Sequence, residues 1–316
     1  MSMGKITILG VNGHIGHEAA KAFQAAGWEV TGFGRSNKHP IAGVRFLAGD
    51  ASNVEDMRRA IGDADAVFHG LNLPYHEWDK GRMETQTLRI IEAVGPNGRT
   101  LLFPGTIYTH AATDRYVTPD LPQRPEKPRG AIKVKREALL RSATERGDLQ
   151  VVILRAGDFF GPDSTGDWFD QAVLREASKN RVAIPTQTVG HSWAYLPDLG
   201  RAFVRLAELR QSLAPFQTFH FAGHFATGAE LLAAIQKAAP VPLNVVPFPW
   251  TALRIIGLAV PMMREVVKMR YLWENTMELR DERLDTLLGP GFGTPFETAI
   301  AETVRPFFPA ALERAA

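Results

Sequence analysis

The sequence predicts an α/β fold in which a doubly wound parallel sheet is followed by a smaller, mostly helical lobe. Through the first half of the chain, short apolar runs alternate with stretches whose apolar residues recur at helical spacing. This alternation is typical of βαβ units, whose strands pair in parallel. A glycine-rich turn at residues 10–16 joins the first apolar run to the first helical pattern, as expected where a strand of such a sheet leads into a helix.

The predicted strands and helices alternate up to about residue 160. Short apolar runs predict strands at residues 5–9, 29–33, 44–47, 66–69, 100–103 and 151–154. Helical spacing predicts helices at residues 15–26, 54–61, 78–94 and 133–145. Prolines 119, 122, 125 and 128 exclude a helix or a central strand within residues 113–129. That segment is predicted to be an ordered surface loop over the site or a flexible lid.

The later part of the chain divides less regularly. Residues 1–160 are expected to form the sheet domain, to whose sheet residues 190–222 return. Residues 161–189 and 223–316, where the alternation loosens, are expected to form the smaller lobe. The apolar stretch 250–263 contains Arg254 and Pro261 and falls short of the ~18–20 apolar residues that span a bilayer. It is therefore predicted to be a core or interface helix.

Composition and charge exclude several classes of protein. Without cysteine, the chain holds no disulfide, thiolate nucleophile, zinc–thiolate site or iron–sulfur cluster. The formal net charge of +2 gives no reason to expect a nucleic-acid or membrane partner. The nine histidines show no metal-ligand spacing, so no metal site is expected. Because no apolar signal segment precedes the first strand, the predicted location is cytoplasmic.

The turn at residues 10–16 has the glycine spacing of a dinucleotide-binding site. Gly10 permits the tight turn, Gly13 lets the backbone approach a pyrophosphate, and Gly16 lets helix and strand pack closely. The N–H groups and positive dipole at the helix N-terminus favour an anion. Residues 1–160 are thus predicted to be a Rossmann domain. The predicted cofactor contacts in the turn are Gly10, Asn12, Gly13, His14, Ile15 and Gly16.

The residues after the second strand predict which dinucleotide binds. NAD-binding sites usually place an acidic residue there, to accept a hydrogen bond from the ribose hydroxyl. This chain has Arg35 and Ser36, with Lys38 nearby and no carboxylate. A guanidinium pairs with the 2′-phosphate of NADP(H) in bidentate geometry. We therefore expect NADP(H), bound by Arg35 and Ser36.

Further motifs occur in the order found in a known superfamily. Gly49-Asp50 follows the third strand, residues 154–162 (LRAGDFFGP) follow the sixth, and residues 193–202 (WAYLPDLGRA) lead into a later helix. With the glycine turn and Arg35, these motifs make the chain resemble the short-chain dehydrogenase/reductase superfamily, in its extended, epimerase/dehydratase-like branch. The resemblance implies that Asp50 holds the adenine amino group.

The resemblance breaks at the catalytic pair. The superfamily uses Tyr-x-x-x-Lys on a helix, where the lysine lowers the pKa of the tyrosine so that the phenol exchanges a proton with the substrate oxygen. The alignment places Lys133 on that lysine and Arg129 on the tyrosine. An arginine does not donate a proton near neutral pH, because its pKa is above ~12. The chain thus resembles an atypical member, in which Lys133 either still bonds the nicotinamide ribose or is a solvated helix lysine beside Lys135 and Arg136.

Residues after the fifth strand are candidates to replace the missing tyrosine. The resemblance implies a catalytic Ser or Thr here, and Thr106 is the candidate hydroxyl, although a strict count back from Tyr108 lands on Pro104. Tyr108 is either a substitute acid or an aromatic wall of the pocket. Tyr116, in the proline-rich loop, is a weaker candidate. The expected catalytic residues are Thr106, Tyr108 and Lys133.

Residues after the fourth and sixth strands are expected to face the ligands. Leu71 should contact the cofactor near its nicotinamide, with Asn72 and Tyr75 on the substrate side. Asp158 stands where nucleotide-sugar enzymes of the superfamily commonly have an asparagine that faces substrate. A carboxylate there would repel a diphosphate, which disfavours a nucleotide sugar.

Two functions are open at this stage. One is an NADP(H)-dependent oxidoreductase acting on a small carbonyl or alcohol, either alone or as one step of an epimerase or dehydratase cycle. The other is a non-catalytic NADP(H)-binding regulator, which the missing tyrosine favours. The resemblance also implies a homodimer through the helices at residues 78–94 and 133–145. The substrate is expected to be a small molecule. No nucleic-acid or membrane partner is expected for the protein.

Overall fold

A computed structural model describes residues 3–163 and 166–308. The strands of this part of the chain are β1 Lys5–Leu9, β2 Glu29–Gly34, β3 Arg45–Ala48, β4 Ala66–His69, β5 Thr100–Thr106, β6 Tyr116–Val117, β7 Gln150–Ala156, β8 Asp158–Phe160, β9 Arg181–Ile184, β10 Gly190–Tyr195, β11 Phe216–His220, β12 His224–Thr227, β13 Asn244–Pro247 and β14 Glu278–Leu279. Its α-helices are α1 His14–Ala25, α2 Val54–Ile61, α3 Arg82–Val94, α4 Pro128–Glu145, α5 Leu196–Glu208, α6 Gly228–Ala238, α7 Trp250–Ile256, α8 Pro261–Lys268, α9 Glu282–Leu288 and α10 Phe296–Val304.

The central sheet has the strand order β11-β7-β5-β4-β1-β2-β3, with every neighbouring pair parallel. Helices α1 and α5 cover one face, and α2, α3 and α4 cover the other. Because both faces are covered, an inner strand such as β4 is buried along its whole length. The strand order reverses between β1 and β4, where such sheets open a crevice at their carboxyl ends. The predicted Rossmann fold class is confirmed.

The C-terminal lobe packs short helices against small sheets. These sheets have the orders β12-β10-β8, β13-β9 and β14-β6. The centre of the lobe is aromatic, since Phe160, Phe169, Trp193 and Trp273 bury their rings against one another. The predicted smaller, mostly helical lobe is therefore present, with more β-structure than the sequence pattern indicates.

The expected return of residues 190–222 to the central sheet is only partly correct. β11 does pair with β7 at the edge of that sheet. β10, however, pairs in parallel with β8 and antiparallel with β12. The chain leaves β7 at Gly157, where an added Cβ would lie 1.9 Å from the carbonyl oxygen of Ser192. This close backbone approach places β10 beside β8 rather than in the central sheet.

Two predicted helix boundaries are wrong. Helix α3 begins at Arg82 and not at residue 78, because Lys80 and Gly81 have φ angles of 60° and 74° and so interrupt a helix. Helix α4 begins at Pro128, because proline fits the first helical turn, where its missing N–H is not needed. The end of the proline-rich segment 113–129 is thus helical. Near the start of the segment, β6 pairs with β14.

The stretch predicted as one helix at residues 250–263 forms α7 and α8, which meet at a tight turn. An added Cβ on Gly257 would lie 3.0 Å from the Cα of Arg264, which measures how closely the two helices approach. No helix within the described residues is long and apolar enough to cross a membrane.

Candidate active site

The glycine turn packs tightly between β1 and β4. Gly10 has a φ of 86°, and an added Cβ would lie 2.8 Å from the backbone of Gly70. An added Cβ on Gly16 would lie 2.3 Å from the carbonyl oxygen of Gly10. Gly13 precedes the first residue of α1, and no described side chain caps that helix end. The turn therefore presents backbone at a helix N-terminus, the geometry that accepts a pyrophosphate.

Asn12 shapes the neighbouring loop. Its Nδ2 donates to the carbonyl oxygen of Ser36 at 2.6 Å, and its Oδ1 accepts from the backbone N–H of Lys38 at 3.1 Å. The loop that carries Arg35 is thus tied to the glycine turn, while the Arg35 side chain is exposed. The charge of Arg35 also contributes to lowering the pKa of Asp50, after the hydrogen bonds that the carboxylate accepts from Ser52. These residues make one polar edge at the ends of β2 and β3.

A cavity of about 710 Å³ lies at the carboxyl edge of the sheet, between the sheet and the lobe. This volume lies within the usual range of small-molecule sites, ~300–1,000 Å³. The predicted site residues that line it are Ile15, Leu71, Asn72, Tyr75, Thr106, Tyr108, Lys133 and Asp158. The predicted cofactor residues that do not line it are Gly10, Asn12, Gly13, His14, Gly16, Arg35, Ser36 and Asp50.

Lys133 projects from α4 toward this cavity. Its Nζ lies 4.5 Å from the centre of the Trp78 ring, within reach of a cation–π contact. Burial lowers the pKa of Lys133 to about 7, and the positive charge of Arg136 adds to this effect, while Glu137 opposes it. Lys133 therefore gains and loses its proton near neutral pH.

Thr106 and Tyr108 lie at the end of β5, beside the start of α4, where an added Cβ on Gly130 would lie 2.1 Å from the Tyr108 carbonyl oxygen. Thr106 Oγ1 accepts from the backbone N–H of Tyr108 at 3.4 Å, which fixes the short turn after the strand. Burial raises the pKa of the Tyr108 phenol well above its usual value, and the negative charge of Asp158 raises it further. Tyr108 thus keeps its proton and is a hydrogen-bond donor.

Arg129, the residue expected at the position of the superfamily tyrosine, is not among the residues that line the cavity. It is 2% exposed, and its Nε donates to Glu265 at 3.0 Å. Its terminal nitrogens lie 3.3 Å from the two carboxylate oxygens of Asp79. The guanidinium also lies over the ring of Tyr75, 5.5 Å from its centre. This position therefore supplies an ion pair between the sheet region and the lobe.

Asp158 is held by the lobe. Its Oδ2 lies 3.1 Å from Nε2 of His191, whose ring stacks on Trp273 with 4.5 Å between ring centres. Burial raises the pKa of Tyr75, and the charge of Asp158 adds to that rise. The Asp158 carboxylate thus contributes negative charge to the substrate side of the cavity.

Several cavity residues escape sequence reasoning. His69 accepts from Arg136 at 2.8 Å, and burial together with that charge holds the pKa of His69 well below its usual value. Asp167 also lines the cavity and hydrogen-bonds His14 of the glycine turn. Arg175 is an exposed cation at the rim. The lobe wall itself is apolar and aromatic, and it consists of Trp168, Phe248, Leu253, Met262, Met263, Val266, Met269, Leu272 and Trp273.

One weaker candidate lies outside the site. Tyr116 is 45% exposed on β6, and the Arg280 guanidinium lies 3.8 Å from its ring centre. It is not among the residues that line the cavity. Tyr116 therefore lies apart from the other candidate residues, Thr106 and Tyr108.

Comparison with known proteins agrees with this architecture. The family model "NAD dependent epimerase/dehydratase family" matches residues 6–220. A search of curated proteins found no significant match. Among solved structures, a candidate epimerase from Burkholderia cenocepacia J2315 has a TM-score of 0.76 and 19% identity, covering 100% of this chain and 99% of its own.

Two further solved structures are similar. The UDP-glucose 4-epimerase of Thermus thermophilus, in complex with NAD, has a TM-score of 0.73 and 20% identity over 97% of this chain and 99% of its own. The UDP-glucuronic acid 4-epimerase of Bacillus cereus, in complex with UDP-glucuronic acid and NAD, has a TM-score of 0.74 and 16% identity over 96% and 98%. At these identities the structures establish the fold. The family match spans more than half of the sequence, and the chain belongs to the NAD dependent epimerase/dehydratase family.

Proposed function

We propose that this protein is an NADP(H)-dependent oxidoreductase that acts on a small, largely apolar carbonyl or alcohol. One observation carries the proposal: Lys133, Thr106 and Tyr108 line the same cavity, and the pKa of Lys133 lies at about 7. A group whose pKa is near the working pH is the most effective proton donor or acceptor.

The nucleotide edge fits a dinucleotide. Gly10 and Gly16 permit the tight packing of the turn, and the N-terminus of α1, which no described side chain caps, favours a pyrophosphate. The exposed Arg35 is the proposed partner of the 2′-phosphate, which distinguishes NADP(H) from NAD(H). Asp50 is the proposed adenine contact. When bound, the nicotinamide supplies hydride transfer.

The chain's own residues would manage the substrate oxygen and its proton. Tyr108 would donate a hydrogen bond to the carbonyl oxygen and keep its proton, because its pKa is raised. Lys133 would supply the proton that the oxygen gains during reduction and would regain one from solvent at neutral pH. Thr106 would hold the turn that positions Tyr108. Lys133 would thus take over the acid role that the superfamily gives to tyrosine.

The cavity favours an apolar substrate over a nucleotide sugar. The similar Bacillus cereus protein binds UDP-glucuronic acid, but here the lobe side of the cavity is lined by aromatic and aliphatic side chains. Asp158 would repel a diphosphate placed beside it. Asn72 and Tyr75 line the same side and would contact the substrate. Arg175, exposed at the rim, could pair with a single carboxylate on the substrate.

The proposal is tested by binding and turnover. Purified protein is titrated with NADPH and NADH, and NADPH oxidation is then followed with aromatic and aliphatic aldehydes and ketones, each with and without a carboxylate. We expect tighter binding of NADPH and turnover of an apolar carbonyl. Tighter binding of NADH would contradict the role of Arg35.

A second function has one observation in its favour. Arg129 replaces the superfamily tyrosine and is committed to ion pairs with Glu265 and Asp79. This would suit a non-catalytic NADP(H)-binding regulator, whose ligand changes the contact between sheet and lobe. Tight NADPH binding without turnover of any compound in the panel would support the regulator and reject the enzyme.

A further inference from the structure

The turn between α7 and α8 exposes an apolar patch. Ile255, Ile256, Leu258 and Val260 are all exposed, and Leu258 exposes 83% of its surface. Single apolar residues on a surface are ordinary, but several grouped at one turn mark an interaction site. We call residues 255–260 the α7–α8 tip.

Positive charge flanks this tip. Between Lys237 and Arg264, the sequence contains one charged residue, Arg254, and no carboxylate. Arg254 and Arg264 stand on either side of the tip, and both are exposed. Within the described chain, neither is recorded in an ion pair. An apolar tip with cationic flanks is the composition of segments that lie in a membrane interface.

We propose that the α7–α8 tip docks on the surface of a membrane that contains anionic phospholipid, without crossing it. Lipid headgroups of negative charge would neutralise Arg254 and Arg264 while the apolar side chains enter the boundary between headgroups and acyl chains. A second copy of the chain is a poorer partner. In a two-fold interface the same patch meets itself, so the two arginines would face like charges with no carboxylate in the segment to pair with them.

The tip is continuous with the wall of the cavity. Leu253, Met262, Met263 and Val266, from the same two helices, line the cavity on their inner side. Docking would therefore bring the apolar wall of the cavity to the membrane surface. The expectation of no membrane partner rested on the net charge of the whole chain, which averages over this local patch. The proposal does not depend on the proposed catalytic function.

Vesicle sedimentation tests the proposal on the full chain. The vesicles contain phosphatidylcholine alone, or phosphatidylcholine with about one-third phosphatidylglycerol. We expect the protein to sediment with the anionic vesicles and to dissociate as salt is raised, because salt screens the arginines. Leu258→Asp should weaken binding at least about tenfold, since it removes a large apolar side chain from the interface. Arg254→Gln should weaken binding to the vesicles that contain phosphatidylglycerol and should leave binding to pure phosphatidylcholine vesicles unchanged.

The control is Met3→Asp, which also replaces an exposed apolar side chain with aspartate, at a residue ahead of β1 that is 55% exposed. It should sediment like the wild type. NADPH titration and thermal unfolding of each variant report whether it is folded. Equal sedimentation of Leu258→Asp and wild type, or no sedimentation with either vesicle, would overturn the proposal. A dimer that Leu258→Asp converts to a monomer, seen by light scattering without vesicle binding, would assign the tip to a second copy instead.

Discussion

The Arg129 guanidinium donates to the Glu265 carboxylate, 3.0 Å away, and so joins helix α4 of the sheet region to helix α8 of the lobe. Lys268 donates to the same carboxylate at 2.7 Å. Burial opposes ionisation of Glu265, but the bonds from Lys268 and Arg129 hold its pKa below the usual value. This pair of charges therefore holds the lobe against the sheet region.

Breaking this pair should destabilise the protein. Arg129→Met removes one of the two cations that bond the buried Glu265, and losing one member of a buried pair costs about 3–5 kcal/mol. The free energy of unfolding, measured by urea titration, should fall by that amount. Lys237→Met is the matched control, because Lys237 and Glu297 are both largely exposed and such pairs contribute at most about 1 kcal/mol. An equal fall in the free energy of unfolding in the two variants would contradict the stabilising role of the Arg129–Glu265 pair.

The partly buried Lys133 should make the free energy of unfolding depend on pH. Its pKa is lowered to about 7 in the folded protein, whereas an unfolded lysine titrates near 10.4. Between these values the unfolded chain binds more protons than the folded chain, so folding becomes more favourable as pH rises. From pH 7 to pH 9, the free energy of unfolding of the wild type should rise by about 1–3 kcal/mol relative to that of Lys133→Met. Below about pH 6, the difference in free energy of unfolding between the two proteins should not change with pH.

The control for this titration is Lys135→Met, which removes an exposed lysine from the same helix. The difference in free energy of unfolding between Lys135→Met and the wild type should stay constant over the same pH range. If the Lys133→Met difference were also constant, Lys133 would not be buried as a proton-exchanging group, and its proposed role as an acid would be lost.

Arg35 should determine the choice of dinucleotide. Replacing it with alanine removes a charge-assisted hydrogen bond worth about 1.5–3 kcal/mol, so the Kd for NADPH should rise about 10–100-fold. NADH lacks the 2′-phosphate and serves as the internal control, with little change in its Kd. Fluorescence titration of both dinucleotides measures the effect. A similar loss for both would place Arg35 away from the 2′-phosphate.

The fold could be predicted because its signal is local. Short apolar runs such as residues 66–69 give strands that are buried on both faces, and the glycine turn at residues 10–16 identifies where the sheet opens. The exceptions follow from contacts distant in sequence. The path of β10 depends on the approach of Gly157 to Ser192, which neither segment reveals alone.

The candidate site was predictable only on its sheet side. Residues that follow the strands, such as Thr106 and Asp158, face the crevice in any fold of this class. The lobe wall could not be foreseen, because Trp168 and Met262 reach it from segments whose pattern is equally typical of a core. The ion pair of Arg129 with Glu265 joins residues distant in sequence, and no spacing indicates it.

The most direct test of the central claim is the pH profile of NADPH-dependent carbonyl reduction at saturating NADPH, in the wild type, Lys133→Met, Tyr108→Phe and Tyr116→Phe. If Lys133 supplies the proton, wild-type kcat should fall as pH rises above about 7, because the acid form is lost. In Lys133→Met, kcat should fall about 10²–10⁴-fold and should no longer decrease above about pH 7. In Tyr108→Phe, kcat should fall but keep the pH profile of the wild type. Tyr116→Phe, which changes an exposed residue, should match the wild type in both. A Lys133→Met variant with wild-type kcat and the same profile would contradict the account.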